Sequence, residues 1–102
     1  MTHAQNIRTT IAQLRREKRK LEPTLKEAEE QSRRAYVEVI DWEEAYMASG
    51  EDEEIGQKLD KAYDEYSKVN EAMYKTEKQV EAIKEALDAL CKAVEAIEWL
   101  GL

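Results

Sequence analysis

The stretch WEEAYMASGEDEEIG, residues 42–56, collects acidic side chains around Gly50 and lies between two regular apolar patterns. Glycine readily adopts the left-handed conformation that ends many helices. Ser49 or Asp52 can then cap the helix that follows, and the neighbouring carboxylates suit its positive N-terminal end. The stretch therefore predicts a turn at 49–52 that joins two helices.

Apolar residues recur on both sides of this turn at steps that alternate between three and four. The first ladder of positions is Ala4, Ile7, Ile11, Leu14, Lys18, Leu21, Leu25, Ala28, Ser32, Ala35, Val39, Trp42 and Tyr46. The second ladder is Ile55, Leu59, Ala62, Tyr66, Val69, Met73, Thr76, Val80, Ile83, Leu87, Leu90, Val94 and Ile97. Such spacing is typical of the seam of a left-handed coiled coil. It predicts helices over about 3–48 and about 53–99.

Folding the chain back at the turn brings the two ladders together in antiparallel order. Trp42 then faces Leu59, and Ala35 faces Tyr66, so bulky residues meet small ones. The polar seam residues Lys18, Ser32 and Thr76 would fix the register, as isolated polar core positions do. We predict an all-α fold, a long antiparallel coiled-coil hairpin that forms a single domain over 1–102.

Pro23 is a helix-breaking residue, but the heptad pattern continues through it in the same phase. Inside a helix proline removes one hydrogen bond and clashes with the preceding turn, at a cost of about 3 kcal/mol. Because Pro23 lies off the seam and the ladder continues through it, we expect a kink in one long helix. The alternative is a separate helix near 3–21, which would give a three-helix bundle.

Further apolar residues lie beside the seam, which a two-stranded hairpin does not need. The second helix carries Ala72, Ala82, Ala86, Ala89, Ala93, Ala96 and Leu100, and residues near the turn include Tyr36, Ile40, Met47 and Tyr63. Two copies that pack through such faces would form a four-helix bundle, so we predict a homodimer. A helix of another protein could occupy the same faces, or alanine could be present only as the best helix former. Trp99 either contacts a partner or folds over the N-terminal end.

Catalytic and metal-binding constellations are absent from the sequence. His3 is the single histidine, and Cys91 is the single cysteine, so neither has a partner for catalysis or for zinc. Carboxylates are numerous, but acid–base catalysis requires a pair held in a pocket. We therefore predict a protein that is not an enzyme and needs no cofactor. With no apolar run long enough to span a membrane and one cysteine, we expect a cytoplasmic location.

The charges are unevenly distributed along the chain. Residues 38–54 hold eight acids and no base, whereas RREKRK at 15–20 is a basic cluster. The cluster supports an alternative function, nucleic-acid association through Arg15, Arg16, Arg19 and Lys20. The acidic segment lacks the ligand order of a calcium loop. It could instead imitate a nucleic acid in a small inhibitor, or simply be a solvated turn.

The principal functional prediction is a protein–protein interaction module, either an adaptor, an assembly factor or a small inhibitor. It would act through its helical faces and the acidic tip of the hairpin. The candidate partner-binding residues are Tyr36, Ile40, Glu43, Glu44, Met47, Glu51, Asp52, Glu53, Tyr63, Ala86, Ala93, Trp99 and Leu100.

Overall fold

The computed structural model describes residues 2–101, which form two helices joined by one turn. Helix α1 spans His3–Ala48 and helix α2 spans Glu53–Leu100, and the described residues contain no strand. The fold is an all-α helical hairpin. Its contacts divide the chain into two compact units. We call Met1–Thr24 with Thr76–Leu102 the terminal unit, and Leu25–Lys75 the turn unit.

Burial follows the two ladders that the sequence defines. Every one of the 26 ladder positions is buried or half-buried. The nine buried residues all belong to the ladders: Ala4, Ile11, Ser32, Ala35, Val39, Leu59, Ala62, Val80 and Val94. Since none of the described side chains falls below 2% exposure, the core is a narrow line of contact rather than a thick interior.

The turn unit has a small apolar cluster at its centre. Val39, Leu59 and Ala62 are buried against each other, and the larger rings of the ladders pack around them. Further from the turn in the same unit, the Ser32 hydroxyl donates a hydrogen bond to the amide oxygen of Asn70 over 3.3 Å. Ser32 is the one buried polar residue among those described, and this bond satisfies its hydroxyl as burial requires.

In the terminal unit the two helices pack along the same two ladders. Ala4 and Ile11 from α1 are buried, as are Val80 and Val94 from α2. Arg8 and Glu98 form an ion pair between the two helices beside this line of contact. Both side chains are more than half exposed, so the pair contributes little to stability.

The turn has the capping chemistry that its sequence predicts. Gly50 has a φ of 72°, its N–H donates to the Met47 carbonyl, and the N–H of Glu51 donates to the Tyr46 carbonyl. This pair of bonds is the Schellman motif that ends a helix. Asp52 caps α2, because its Oδ1 accepts from the Ile55 N–H over 3.1 Å. Glu51 also has a positive φ, 68°, which the sequence does not predict.

Pro23 lies inside α1, which continues from His3 to Ala48. The helix therefore does not stop before proline. Pro23 is exposed, on the side of α1 away from the seam.

Candidate functional site

The turn unit presents a face of large apolar side chains beside the seam. Tyr36, Ile40 and Met47 follow one another on α1 at helical spacing, and Tyr63 lies on α2. Ile40 is half-buried, whereas Tyr36, Tyr63 and Met47 are 51%, 45% and 80% exposed. We call these four residues the tyrosine face.

Two contacts hold the rings of the tyrosine face in place. The Tyr36 ring lies 5.6 Å from the Tyr66 ring at an interplanar angle of 47°, a favourable tilted arrangement. The Tyr63 hydroxyl donates a hydrogen bond to the carboxylate of Glu43, which connects the two helices. Each of the two tyrosine rings therefore has a partner within the hairpin.

A cleft of about 360 Å³ lies about one to three turns from Tyr63 along α2, towards the hairpin turn. It is lined by Tyr46, Glu53, Gly56, Gln57, Leu59 and Asp60. Gly56 makes room for the neighbouring ring, because a Cβ atom there would lie 3.1 Å from Tyr46 Cε2. The cleft thus combines an apolar floor, Leu59 and the Tyr46 ring, with two carboxylates.

Acidic residues dominate the turn unit. Residues 25–75 hold seven Lys/Arg and fifteen Asp/Glu, a net charge of −8, whereas the terminal unit holds nine and eight, a net charge of +1. Among the candidate contact residues, Glu44, Glu51, Asp52 and Glu53 are exposed and Glu43 is half-buried. Asp52 is used as the α2 cap, so the turn explains one acid of this group.

Internal ion pairs occupy several other acids of the turn unit. Arg33 and Arg34 both contact Glu30, and the hydrogen bond from Arg33 lowers the pKa of the Glu30 carboxyl. Asp64 lies 3.1 Å from Lys68 and raises the pKa of that ammonium. The Lys58 ammonium lies 5.2 Å from the centre of the Trp42 ring, a cation–π contact. Among the described residues, none of these contacts involves the cleft carboxylates Glu53 and Asp60.

The terminal unit carries the alanine-rich surface and an exposed aromatic end. Ala86 and Ala93 are half-buried, whereas Trp99 and Leu100 are 87% and 63% exposed. The indole of Trp99 therefore does not cover the N-terminal end. A shallow hollow of about 400 Å³ is lined by Lys92, Glu95, Ala96, Trp99 and Leu100.

The basic cluster is exposed on the outer side of α1. Arg15, Arg16, Arg19 and Lys20 all reach solvent. Residues four apart share one side of a helix, so the pairs 15/19 and 16/20 lie next to each other within one arc of the outer surface. Lys20 also lies 3.4 Å from Glu17, and Lys18 lies 3.5 Å from Glu22. The cluster is thus partly neutralised within its own helix.

The single histidine and cysteine are not brought together with other reactive groups. His3 is exposed at the start of α1, and Cys91 is a half-buried free thiol on α2. Within residues 2–101, no group of three or more His, Cys, Asp or Glu could hold a metal ion. No helix of this part of the chain is long and apolar enough to cross a membrane.

Sequence reasoning missed the cleft and the residues that form it. Gly56 and Asp60 are not among the candidate residues, although a glycine inside a helix is a recognisable signal. Glycine weakens a helix interior by about 1 kcal/mol relative to alanine, so its presence indicates a close approach by another group. The group that approaches here is the Tyr46 ring.

Comparison of this sequence with known proteins identifies no relative. The sequence matches no protein-family model, and neither the curated proteins nor the solved structures include one that is significantly similar to it.

Proposed function

We propose that this chain is a non-enzymatic protein–protein interaction module that binds its partners through the helical surfaces outside the seam and through its acidic turn. One observation carries the proposal. The seam already uses all 26 ladder positions, yet Met47, Trp99 and Leu100 remain 80%, 87% and 63% exposed. Contiguous exposed apolar patches commonly mark contact surfaces, and Trp99 and Leu100 are neighbours in the chain.

The proposal includes a coiled-coil seam. The support is that ladders with a mean step of 3.5 residues coincide with every buried residue among those described. A kink of α1 at Pro23 belongs to the same proposal, since proline cannot donate the hydrogen bond that a straight helix needs.

The alanine face of the terminal unit is proposed as the dimer contact. It comprises Ala82, Ala86, Ala89, Ala93, Ala96 and Leu100, which recur at steps of four and three like the seam itself. Small residues at this spacing allow helices to approach closely, and a second copy would complete a four-helix bundle. The terminal unit's net charge of +1 does not oppose that association.

The exposed area of the chain is sufficient for such a dimer. A folded monomer of this mass has an accessible surface of about 5,900 Å², whereas this chain exposes 7829 Å². The excess of about 1,900 Å² is larger than the roughly 800 Å² that each partner buries in a standard interface.

Site-specific photo-crosslinking in the native host tests the interaction module. A photoreactive amino acid is placed at Met47 or Trp99, and at Lys61 as an exposed control on α2. We expect discrete adducts from Met47 and Trp99 and none from Lys61. Absence of adducts at both test positions would overturn the proposed function.

Nucleic-acid association through residues 15–20 remains the second proposal, with weaker support. The cluster is exposed, but two of its side chains, Lys18 and Lys20, are paired with Glu22 and Glu17. If this function were correct, binding to DNA or RNA would weaken steeply with salt. It would also be lost when Arg15, Arg16 and Arg19 are replaced by glutamate.

A further inference from the structure

The turn unit combines a fixed apolar surface with an acidic cleft on the same side of α2. Gly56, Asp60 and Tyr63 are separated by four and three residues, so they lie along one side of that helix. Tyr63 is joined to the α1 part of the tyrosine face through Glu43. The cleft and the tyrosine face therefore form one continuous surface.

We propose that this surface binds a lysine- or arginine-bearing amphipathic helix of another protein. The inference rests on the proposed function and specifies the surface and the chemistry of its partner. The apolar residues of the incoming helix pack on the tyrosine face. One of its basic side chains enters the cleft, with its aliphatic stem against Leu59 and Tyr46 and its charged end near Glu53 and Asp60.

The dimensions of the tyrosine face fit a helix. From Tyr36 to Met47 the face extends over eleven residues of α1, which is about 16 Å or three helical turns. A helix with apolar residues at i, i+4, i+7 and i+11 presents a stripe of the same length. Tyrosine and methionine are also among the residue types that are enriched at protein contacts.

The negative charge of the turn unit favours a cationic partner over a second copy of this chain. A second copy of this chain would bring another turn unit of net charge −8 against the first, and its terminal unit, at +1, offers little attraction. A cationic helix satisfies both the carboxylates of the cleft and the surrounding field. Among residues 2–101, no lysine or arginine forms an ion pair with Glu53 or Asp60, so these carboxylates are free to take the partner's charge.

The cleft gives this recognition a specific contact in addition to the general field. The distal part of a lysine or arginine side chain is a flexible apolar stem with a charged end, which matches an apolar floor with carboxylates beside it. Tyr46 also offers an aromatic ring to the cation. Because Gly56 has no side chain, the Tyr46 ring packs directly over it and forms one side of the cleft.

Binding of defined peptides to the full chain tests the proposal. The probe is a synthetic amphipathic helix of about 15 residues, four turns long, with leucine on one side and lysine on the other. The matched probe has glutamate in place of every lysine. Affinities are measured by fluorescence anisotropy at an ionic strength of about 0.15 M, where long-range attraction is screened.

Three variants separate the tyrosine face from the cleft and from net charge. Met47→Ser removes apolar surface at an 80% exposed position, so it leaves the core intact. The double variant Glu53→Gln/Asp60→Asn removes two cleft carboxylates, and Glu27→Gln/Glu29→Gln removes two exposed carboxylates elsewhere in the same unit. Circular dichroism confirms that each variant retains the helical content of the wild type.

We expect the lysine peptide to bind the wild-type chain and the glutamate peptide not to bind. Met47→Ser and the cleft double variant should each weaken the lysine peptide about tenfold, and the control double variant less than about twofold. Failure of the lysine peptide to bind, or equal loss in both double variants, overturns the inference. If Met47→Ser instead halves the mass in sedimentation, a second copy occupies the face and the inference is wrong.

The outcomes also separate this inference from the proposed function. Crosslinks at Met47 in the host without binding of the lysine peptide would leave the interaction module standing and remove the cationic helix as its partner. Absence of crosslinks from both Met47 and Trp99 would remove the interaction module itself.

Discussion

Replacing Val39 with alanine should destabilise the hairpin far more than the same replacement two residues away. Val39 is 3% exposed in the turn-unit cluster, whereas Val37 is 50% exposed on the same helix. Val39→Ala removes two buried carbon groups, a transfer loss of about 1.6 kcal/mol at 0.8 kcal/mol for each. An unfilled void of roughly 40 Å³ adds about 1 kcal/mol, and the higher helix propensity of alanine returns about 0.5 kcal/mol. The expected net loss is about 2 kcal/mol.

At Val37 the same chemical change has little to remove. Because Val37 is half exposed, its transfer loss is only about 0.8 kcal/mol. The same gain in helix propensity, about 0.5 kcal/mol, offsets most of that loss, and no void is left. Urea unfolding followed by circular dichroism, at one protein concentration for all variants, measures both free energies of unfolding. A difference of about 2 kcal/mol between the variants is expected. Equal losses at the two positions would refute the assignment of Val39 to the core and Val37 to the surface.

Three further changes test the proline, the turn and the surface charges. Pro23→Ala should raise the free energy of unfolding by about 1–3 kcal/mol, because it restores a helical hydrogen bond; a loss in urea unfolding would contradict this. Gly50→Ala should lower it by about 1–2 kcal/mol, because alanine resists the left-handed φ; an unchanged midpoint would contradict the assigned turn. Arg33→Ala should raise the pKa of the Glu30 carboxyl in an NMR titration, because it removes the hydrogen bond that lowers it; an unchanged pKa would show that the pair does not form in solution.

The sign of the Glu30 effect follows from the direction of its pKa shift. Because the folded pKa lies below the unfolded value, any stabilisation from the pair is complete above the unfolded pKa. It is lost as the pH falls through the folded pKa. The Arg33 guanidinium remains charged over this range, so only the carboxyl titrates.

The heptad pattern is enough to predict the helical hairpin because burial in a two-helix contact follows residue spacing. Residues three and four apart return to the same side of a helix, so the ladders by themselves identify the line of contact. The size pattern is also informative. Val39 lies with Leu59 and Ala62, as pairing large residues with small ones across the seam predicts.

The contacts beside the seam could not be predicted in the same way. The register of the seam limits the set of flanking residues that can be neighbours. Which of these neighbours form hydrogen bonds depends on their side-chain rotamers. Tyr63 with Glu43 and Ser32 with Asn70 are therefore found only in the structure. Spacing identified the tyrosine face as apolar but gave no sign of the adjoining cleft, because the cleft depends on how one ring packs over Gly56.

The two units divide the proposed contacts between them. The terminal unit, nearly neutral and lined with alanine, suits a second copy, while the acidic turn unit suits a cationic helix. A sedimentation mass that falls when Ala89 is replaced by glutamate, with unchanged binding of the lysine peptide, would show that the two contacts are independent. Loss of both properties in that variant would contradict the division.

Isotope-filtered NMR tests the central claim, that the seam closes within one chain. An equimolar mixture of isotope-labelled and unlabelled protein separates contacts within a chain from contacts between chains. The account predicts nuclear Overhauser effects from the Val39 methyl groups to Leu59 and Ala62 within the labelled chain, and none of these between labelled and unlabelled chains. If the same effects appeared only between chains, the hairpin would be wrong, and the proposed surfaces would fall with it.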